Sequence, residues 1–217
     1  MRMHTLMHSI LSAANLGSRA PTQMIWLPGA YHHARDFEQA GFAQAVQARR
    51  KPVDLLFVDL EMQHLNDQGA LDQLQSEIVI PARASGASIW LAGISLGGLF
   101  ALDYASSHLE EIDGLCVLAP YLGNRMLIDE IAAAGLAAWE PGALADSDAE
   151  RRIWRFLKTR AGSRPLFLGY GRGDRFSRAH DLLAAALPAS SVQVVEGGHE
   201  WRTWTLLWEN FLDSHFA

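Results

Sequence analysis

The sequence has a single cysteine and no long apolar run free of small polar residues. Cys116 alone, among 217 residues, cannot form an intrachain disulfide, which fits a reducing compartment. Its apolar neighbourhood, residues 115–119, predicts a buried small side chain rather than a reactive thiol. The longest uncharged run, residues 84–102, contains four glycines and three serines, so we interpret it as strand, turn and helix rather than a membrane span.

Basic residues and targeting patterns are also scarce. The 18 Lys and Arg residues against 24 Asp and Glu residues give a net charge of −6, which disfavours nucleic acid or an anionic membrane surface as a partner. Residues 1–23 form a poorly defined segment without the continuous apolar core of a secretory signal. We therefore expect a cytoplasmic protein, and the oligomeric state is left open.

The order of apolar runs predicts one α/β domain spanning residues 1–217. No repeat, linker or low-complexity tract divides the chain, and short β-rich runs alternate with helix-length segments, which is typical of a parallel sheet. The predicted strands are 24–27, 53–60, 88–93, 114–119, 165–170 and 191–196. The predicted helices are 36–49, a helix from Asn66 and Asp67 towards residue 84, the helix that ends near His108, 178–187 and 201–214.

Residues 121–163 interrupt this alternation. The segment contains helix-like pieces at 126–134 and 149–158 and is too long for an ordinary connection. We expect it to form a small helical lid over the strand ends.

The pattern Gly93-Ile94-Ser95-Leu96-Gly97 is the strongest chemical signal. It reads G-x-S-x-G and stands between a strand-like run and a helix-like run, which is the context of a nucleophile elbow. In such a turn the serine backbone is strained, and its hydroxyl projects above the sheet at the positive end of a helix. Ser95 is therefore the predicted nucleophile.

A serine hydroxyl needs a base, and a histidine held by a carboxylate usually supplies it. Asp174 follows the strand 165–170 and His199 follows the strand 191–196, in the chain order expected for this elbow. Asp174 also fits an ordinary turn, in which case Asp181 is the alternative carboxylate. The remaining histidines lack the corresponding position. Surface locations are expected for five of them, His4, His8, His108, His180 and His215, while His32 and His33 are placed near the pocket.

Backbone donors for an oxyanion are predicted in two loops. The N–H of Leu96, directly after the nucleophile, is one, and the loop 28–31 supplies the other. We favour Ala30 as the second donor, with Tyr31 as the alternative, because Pro28 has no N–H. An ordinary tight turn is the competing interpretation of this loop.

Together these motifs resemble the α/β-hydrolase superfamily over nearly the whole chain after residue 23. The sequence is similar to a small bacterial branch of esterases and hydrolases with Leu-Pro-Gly-Ala, Gly-Ile-Ser-Leu-Gly-Gly, Leu-Ala-Pro-Tyr-Leu-Gly and Gly-Gly-His motifs. These motifs lie at residues 27–30, 93–98, 118–123 and 197–199, the last followed by Trp201. The resemblance implies an α/β-hydrolase fold with a mostly parallel sheet of about six strands, flanking helices and a small lid.

Two departures from the superfamily are visible. Pro28-Gly29 replaces the His-Gly that many relatives carry in the oxyanion loop, which leaves the width and polarity of that hole open. The two N-terminal antiparallel strands of the superfamily are missing unless residues 1–23 supply one.

The resemblance implies a serine hydrolase that forms an acyl-enzyme and needs no cofactor or metal. We expect a carboxylesterase acting on small or medium acyl esters, with Tyr31, Tyr121 and Trp201 as substrate-binding residues. A thioesterase or acyltransferase with the same triad is the first alternative, and a non-catalytic binding protein on a hydrolase scaffold is the second. Further pocket candidates are Trp139, Glu61, His64, Arg172 and Glu200.

Overall fold

Seven strands form one sheet in the order β1-β3-β2-β4-β5-β6-β7. The computed structural model describes residues 6–14, 17–60, 68–142, 148–160 and 162–216. The strands are β1 Ser9–Ser12, β2 Thr22–Leu27, β3 Val53–Val58, β4 Ser88–Ile94, β5 Gly114–Leu118, β6 Leu166–Gly171 and β7 Val192–Val195. Every neighbouring pair is parallel except β1 with β3, so the mostly parallel sheet predicted from the sequence is confirmed.

The expected count of about six strands is one too few. The additional strand, β1, pairs antiparallel with β3 and places Ser9 opposite Val58. Its four residues, Ser-Ile-Leu-Ser, are half-buried or exposed and contain only two apolar side chains. Such a short edge strand gives almost no periodic signal, and it supplies one antiparallel strand within residues 1–23.

Helices occupy the connections between the strands. They are α1 Ala34–Gln39, α2 Phe42–Arg49, α3 Gln68–Gln73, α4 Ile80–Arg83, α5 Leu96–His108, α6 Arg125–Ala134, α7 Ala149–Arg160, α8 Ser177–Ala184 and α9 Trp201–His215. The single helix predicted over 36–49 is wrong because Gly41, at φ +89°, separates α1 from α2.

A π-helical segment, Leu74–Val79, joins α3 to α4, whose second residue is Pro81. Proline lacks an N–H and crowds the preceding turn of a helix. A widened turn at this point accommodates the proline without a sharp kink. The predicted start of this helix at Asn66 and Asp67 lies outside the described residues.

The core lies on both faces of the sheet. All five residues of β5 and all six of β6 are buried, as parallel strands covered on both faces require. Helix α5 is buried along most of its length, and α9 buries Trp204 and Trp208. Within the described ranges, no helix is both long and apolar enough to span a membrane.

Helices α6 and α7 lie in the segment predicted to be a lid, whose residues 143–147 are outside the described part. Helix α7 packs along α5, where Arg152 makes a two-point ion pair with the buried Asp103 at 2.8 Å and 3.0 Å. The Trp154 indole donates to the Leu122 carbonyl at 2.6 Å. These contacts attach α7 beside the helix that follows Ser95, and the lid assignment itself stays a prediction.

Candidate active site

Four loops meet at the carboxyl end of the parallel strands, where ligands of open α/β sheets bind. They follow β2, β4, β6 and β7 and carry the four groups singled out in the sequence. The loop after β2 contains Ala30, the turn after β4 contains Ser95, and the last two loops contain Asp174 and His199. The parallel topology therefore brings together residues that are distant in the chain.

The turn after β4 holds Ser95 in a conformation that L-residues rarely adopt, with φ +53° and ψ −112°. Such strain is maintained only where the surroundings enforce it. Side chains on the flanking glycines would collide with backbone: a Cβ on Gly93 would lie 2.2 Å from the Gly97 carbonyl oxygen. A Cβ on Gly97 would lie 2.1 Å from the Leu27 carbonyl oxygen. The glycines thus allow strand, helix and the β2 loop to touch.

A continuous chain of hydrogen bonds links the three predicted triad residues. His199 Nε2 lies 2.9 Å from Ser95 Oγ, and His199 Nδ1 lies 2.7 Å from Asp174 Oδ2. Because a carboxylate only accepts, it fixes the tautomer with a proton on Nδ1 and leaves Nε2 free to accept from the serine hydroxyl. The arrangement has the geometry of a nucleophile, a base and a carboxylate that orients the base.

Asp174 is almost entirely buried, at 3% exposure. Burial acts to raise its pKa, but hydrogen bonds from His199 and from the Phe176 N–H, at 2.8 Å, outweigh it and leave the pKa lowered. The side chain is therefore an ionised carboxylate at neutral pH, with one oxygen fixed by backbone and the other facing the imidazole.

Two backbone donors lie free beside the serine. Within the described ranges, neither the Ala30 N–H nor the Leu96 N–H has a hydrogen-bond acceptor. The His32 N–H donates to the Gly29 carbonyl at 3.1 Å and closes the turn that carries Ala30. A Cβ on Gly29 would lie 3.5 Å from Ser95 Cβ, so this loop reaches the nucleophile. Unoccupied donors at this position can accommodate a developing oxyanion.

Tyr121 is the predicted substrate-binding residue that lies nearest the serine. Its N–H donates to the Ser95 carbonyl at 2.8 Å, and its hydroxyl donates to Glu150 at 2.8 Å. Burial and that hydrogen bond raise the pKa of Tyr121 to about 12, so the hydroxyl stays protonated. Its ring contacts Phe176 edge-on at 5.5 Å.

The other two predicted binding residues are placed differently. Tyr31 has a left-handed backbone and is 84% exposed, so its ring packs against none of the triad side chains. Trp201 packs on the rings of His32 and Phe37, at 5.0 Å and 5.4 Å, at the start of α9. Through His32, Trp201 contacts the end of the turn that carries Ala30.

The remaining pocket candidates have partners or positions of their own. Trp139 is buried and donates its indole N–H to Glu130, beneath Arg151. Arg172 pairs with Glu196 on the surface, and Glu200 directly precedes α9, where its side chain makes no capping hydrogen bond. Glu61 and His64 lie outside the described residues.

Sequence reasoning missed Phe176, which touches three parts of the site. Its N–H holds Asp174, its ring meets His199 edge-on at 5.1 Å, and the same ring contacts Tyr121. The signal was its position two residues after the carboxylate, where backbone N–H groups return to an Asp side chain in a turn.

The expectation of a surface location for His180 is wrong. This side chain is fully buried and shares a hydrogen bond of 2.9 Å with the Pro120 carbonyl. Burial lowers its pKa, so the imidazole is neutral and donates from Nε2 to the carbonyl. It lies behind the triad, within electrostatic range of Asp174 and His199. In the sequence His180 lies beyond Asp174, in the first part of α8, and no local pattern indicated that its side chain would be buried.

Among the residues that the structure describes, no group of three His, Cys, Asp or Glu side chains is arranged to hold a metal ion. The chemistry available at the strand ends is that of the Ser95 hydroxyl, the His199 imidazole and the two free amides.

Comparison with protein-family models and with curated protein sequences finds no match for this chain. Solved structures do match. FphF of Staphylococcus aureus, a fluorophosphonate-binding serine hydrolase, aligns with a TM-score of 0.66 at 11% identity over 96% of this chain and 98% of its own. Est1E of Butyrivibrio proteoclasticus aligns with a TM-score of 0.66 at 17% identity, covering 96% of this chain and 94% of its own.

A third match is the S-formylglutathione hydrolase FrmB of Staphylococcus aureus. It has a TM-score of 0.63 at 12% identity and covers 95% of this chain and 89% of its own. Likenesses at such identities establish the fold, and this fold is the α/β-hydrolase fold that the sequence motifs implied.

Proposed function

We propose that the protein is a serine hydrolase that cleaves carboxylic esters through Ser95, His199 and Asp174. The observation that carries the proposal is the unbroken hydrogen-bonded chain from the Asp174 carboxylate through His199 to the Ser95 hydroxyl, beside two free amides. The structural neighbours FphF, named as a serine hydrolase, and FrmB, named as an S-formylglutathione hydrolase, support a hydrolytic reaction.

In the first half of the reaction, Ser95 Oγ bonds to the ester carbonyl carbon while its proton passes to His199 Nε2. The carbonyl oxygen becomes an oxyanion within reach of the Leu96 and Ala30 N–H groups. The C–O bond to the alcohol then breaks, and the alcohol oxygen takes the proton from His199. Asp174 stabilises the imidazolium while it exists.

In the second half, water attacks the acyl-enzyme. His199 accepts a proton from the water as its oxygen bonds to the acyl carbon, and returns it to Ser95 Oγ as the acyl bond breaks. The products are the free acid and the regenerated enzyme.

We propose small or medium acyl groups as substrates because Tyr121 stands close to the nucleophile. Its N–H donates to the Ser95 carbonyl at 2.8 Å, and its ring, packed edge-on against Phe176, supplies a short aromatic wall. Comparing kcat/KM for p-nitrophenyl acetate and p-nitrophenyl palmitate tests this. A higher value for the palmitate ester would contradict it.

The reaction itself is tested by p-nitrophenyl acetate hydrolysis in Ser95→Ala and Asp174→Asn variants. We expect the first to abolish turnover and the second to lower kcat by about 10³-fold or more, because the carboxylate no longer fixes the imidazole tautomer. Thr159→Ala, a change on the outer side of α7, serves as the control. Equal rates in wild type and Ser95→Ala would refute the proposal.

Thioesters are the second candidate substrate class. The likeness to a hydrolase of S-formylglutathione is the observation that favours them, and the same acyl-enzyme serves both classes. Parallel assays with phenyl acetate and thiophenyl acetate separate the two through kcat/KM.

A further inference from the structure

A guanidinium group near the proposed catalytic histidine has no carboxylate partner among the residues that the structure describes. Arg175 directly follows Asp174, and its side chain lies over the Phe176 ring with Cζ 4.9 Å from the ring centroid. Within the described ranges, no Asp or Glu oxygen comes within 4.0 Å of this guanidinium. The residue is exposed, so its N–H edge is open to a ligand.

The Phe176 ring connects this cation to the reaction centre. The ring centroid is 4.9 Å from Arg175 Cζ and 5.1 Å from the His199 ring centroid, so the cation lies at most 10 Å from the imidazole. Contact with the ring restricts the Arg175 side chain, and a cation that is already held in place loses less freedom when it binds an anion.

Neighbouring arginines are neutralised, in contrast to Arg175. Arg172 pairs with Glu196 at 3.1 Å, and Arg178 pairs with Asp129 at 2.5 Å. The chain as a whole carries a net charge of −6, which repels an anion from most of its surface. Among the described residues, the Arg175 guanidinium is therefore a local positive charge in a chain that is negatively charged overall.

The role of His199 indicates which portion of the ester, acyl or alcohol, lies near Arg175. A general acid must reach the leaving-group oxygen, so groups packed against the imidazole border the leaving group. Phe176 packs against the imidazole, and Arg175 lies over the same Phe176 ring.

We propose that Arg175 is a specificity-determining residue that binds a carboxylate on the alcohol portion of the substrate. The planar fork of N–H donors matches a carboxylate in two-point geometry. This inference rests on the proposed esterase function and adds the class of substrate: acyl esters of hydroxy acids, in preference to esters of neutral or cationic alcohols.

The test compares three acetate esters of one phenolic framework: phenyl acetate, 4-acetoxybenzoate and 4-(trimethylammonio)phenyl acetate. In Arg175→Gln we expect kcat/KM for 4-acetoxybenzoate to fall about fivefold, as a partly exposed charge-assisted contact predicts. The value for phenyl acetate stays within about twofold, and that for the cationic ester rises. The wild-type preference for the anionic ester also declines with added salt.

Arg178→Gln is the matched control, since it removes the same charge from the same segment but from a paired arginine. A fivefold loss confined to Arg175→Gln and to the anionic ester supports the proposal, because a merely structural role would alter all three esters alike. Equal ester ratios in wild type and Arg175→Gln, or the same change in Arg178→Gln, would overturn it. Absence of hydrolysis of all three esters by the wild type would instead overturn the esterase function on which the proposal rests.

Discussion

Gly97 sets the distance between the turn that carries Ser95 and the proposed oxyanion loop, residues 28–31. Replacing Gly97 with alanine tests how strongly activity depends on that distance. A Cβ at this position would lie 2.1 Å from the Leu27 carbonyl oxygen and 2.6 Å from the Pro28 carbonyl oxygen. Both neighbours are backbone atoms of the segment that leads into Ala30. They cannot move aside by a side-chain rotation, so the loop itself must shift.

The size of the shift follows from the contact distance. Ordinary van der Waals contact begins at 3.4 Å, so the new Cβ and the Leu27 carbonyl oxygen must move apart by about 1.3 Å. Part of this displacement can be taken up by a shift of helix α5. A displacement of about 1 Å between reacting groups can lower a rate by about 100-fold, and we expect a loss of that order in kcat. The overpacking costs about 1–3 kcal/mol of stability, which lowers Tm by about 2–12 °C in a chain of this length.

The assay measures kcat and KM for phenyl acetate together with thermal unfolding. Gly98→Ala is the control because its Cβ meets the side chain of Pro120, at 2.7 Å, and not the oxyanion loop. We expect it to lower Tm comparably while retaining most of kcat. A folded Gly97→Ala enzyme with a kcat near that of the wild type, or equal losses in both variants, would refute the reasoning.

Three further outcomes are expected. Asp103→Ala removes the two-point ion pair between the buried Asp103 carboxylate and Arg152, and we expect a cost of about 3 kcal/mol in chemical unfolding. A loss below about 1 kcal/mol would contradict a structural role for the pair. Burial lowers the pKa of His180 below its ordinary value of 6.5, so the stabilising contribution of the neutral imidazole is fully present above pH 6.5 and declines as the pH falls below 6.5. We expect His180→Gln to reduce this dependence of the unfolding free energy on pH, measured by urea titration. An unchanged dependence would argue against this role of His180. Tyr121→Phe lowers the free energy of unfolding by about 1 kcal/mol because the hydrogen bond to Glu150 is lost. Turnover of phenyl acetate is retained because only the Tyr121 backbone contacts Ser95. A large loss of kcat would instead assign the hydroxyl a chemical role.

Those parts of the fold with strong periodic or chemical signals could be predicted from the sequence. The long apolar strands and the helix that follows Ser95 are examples, because each combines hydrophobic burial with glycines at fixed positions. The proximity of Ser95, Asp174 and His199 could also be predicted, because the loops that follow parallel strands lie at the same edge of the sheet.

What the sequence did not reveal depends on contacts between distant residues. Strand β1 is too short for a pattern, and its pairing with β3 is fixed by the sheet that forms around it. The break at Gly41 is a single left-handed residue inside an otherwise helical pattern. Burial of His180 and the contact of Phe176 with His199 arise only once α8 packs behind the β6 loop, and no local signal reports such packing.

Covalent labelling with a fluorophosphonate, followed by intact-mass measurement, tests the central claim most directly. Attack of Ser95 Oγ on phosphorus expels fluoride and leaves a stable adduct, and it requires both the nucleophile and its base. We expect one adduct on the wild type, none on Ser95→Ala, and greatly slowed labelling of His199→Ala. Absence of an adduct on folded wild type, or an adduct that persists in Ser95→Ala, would contradict it.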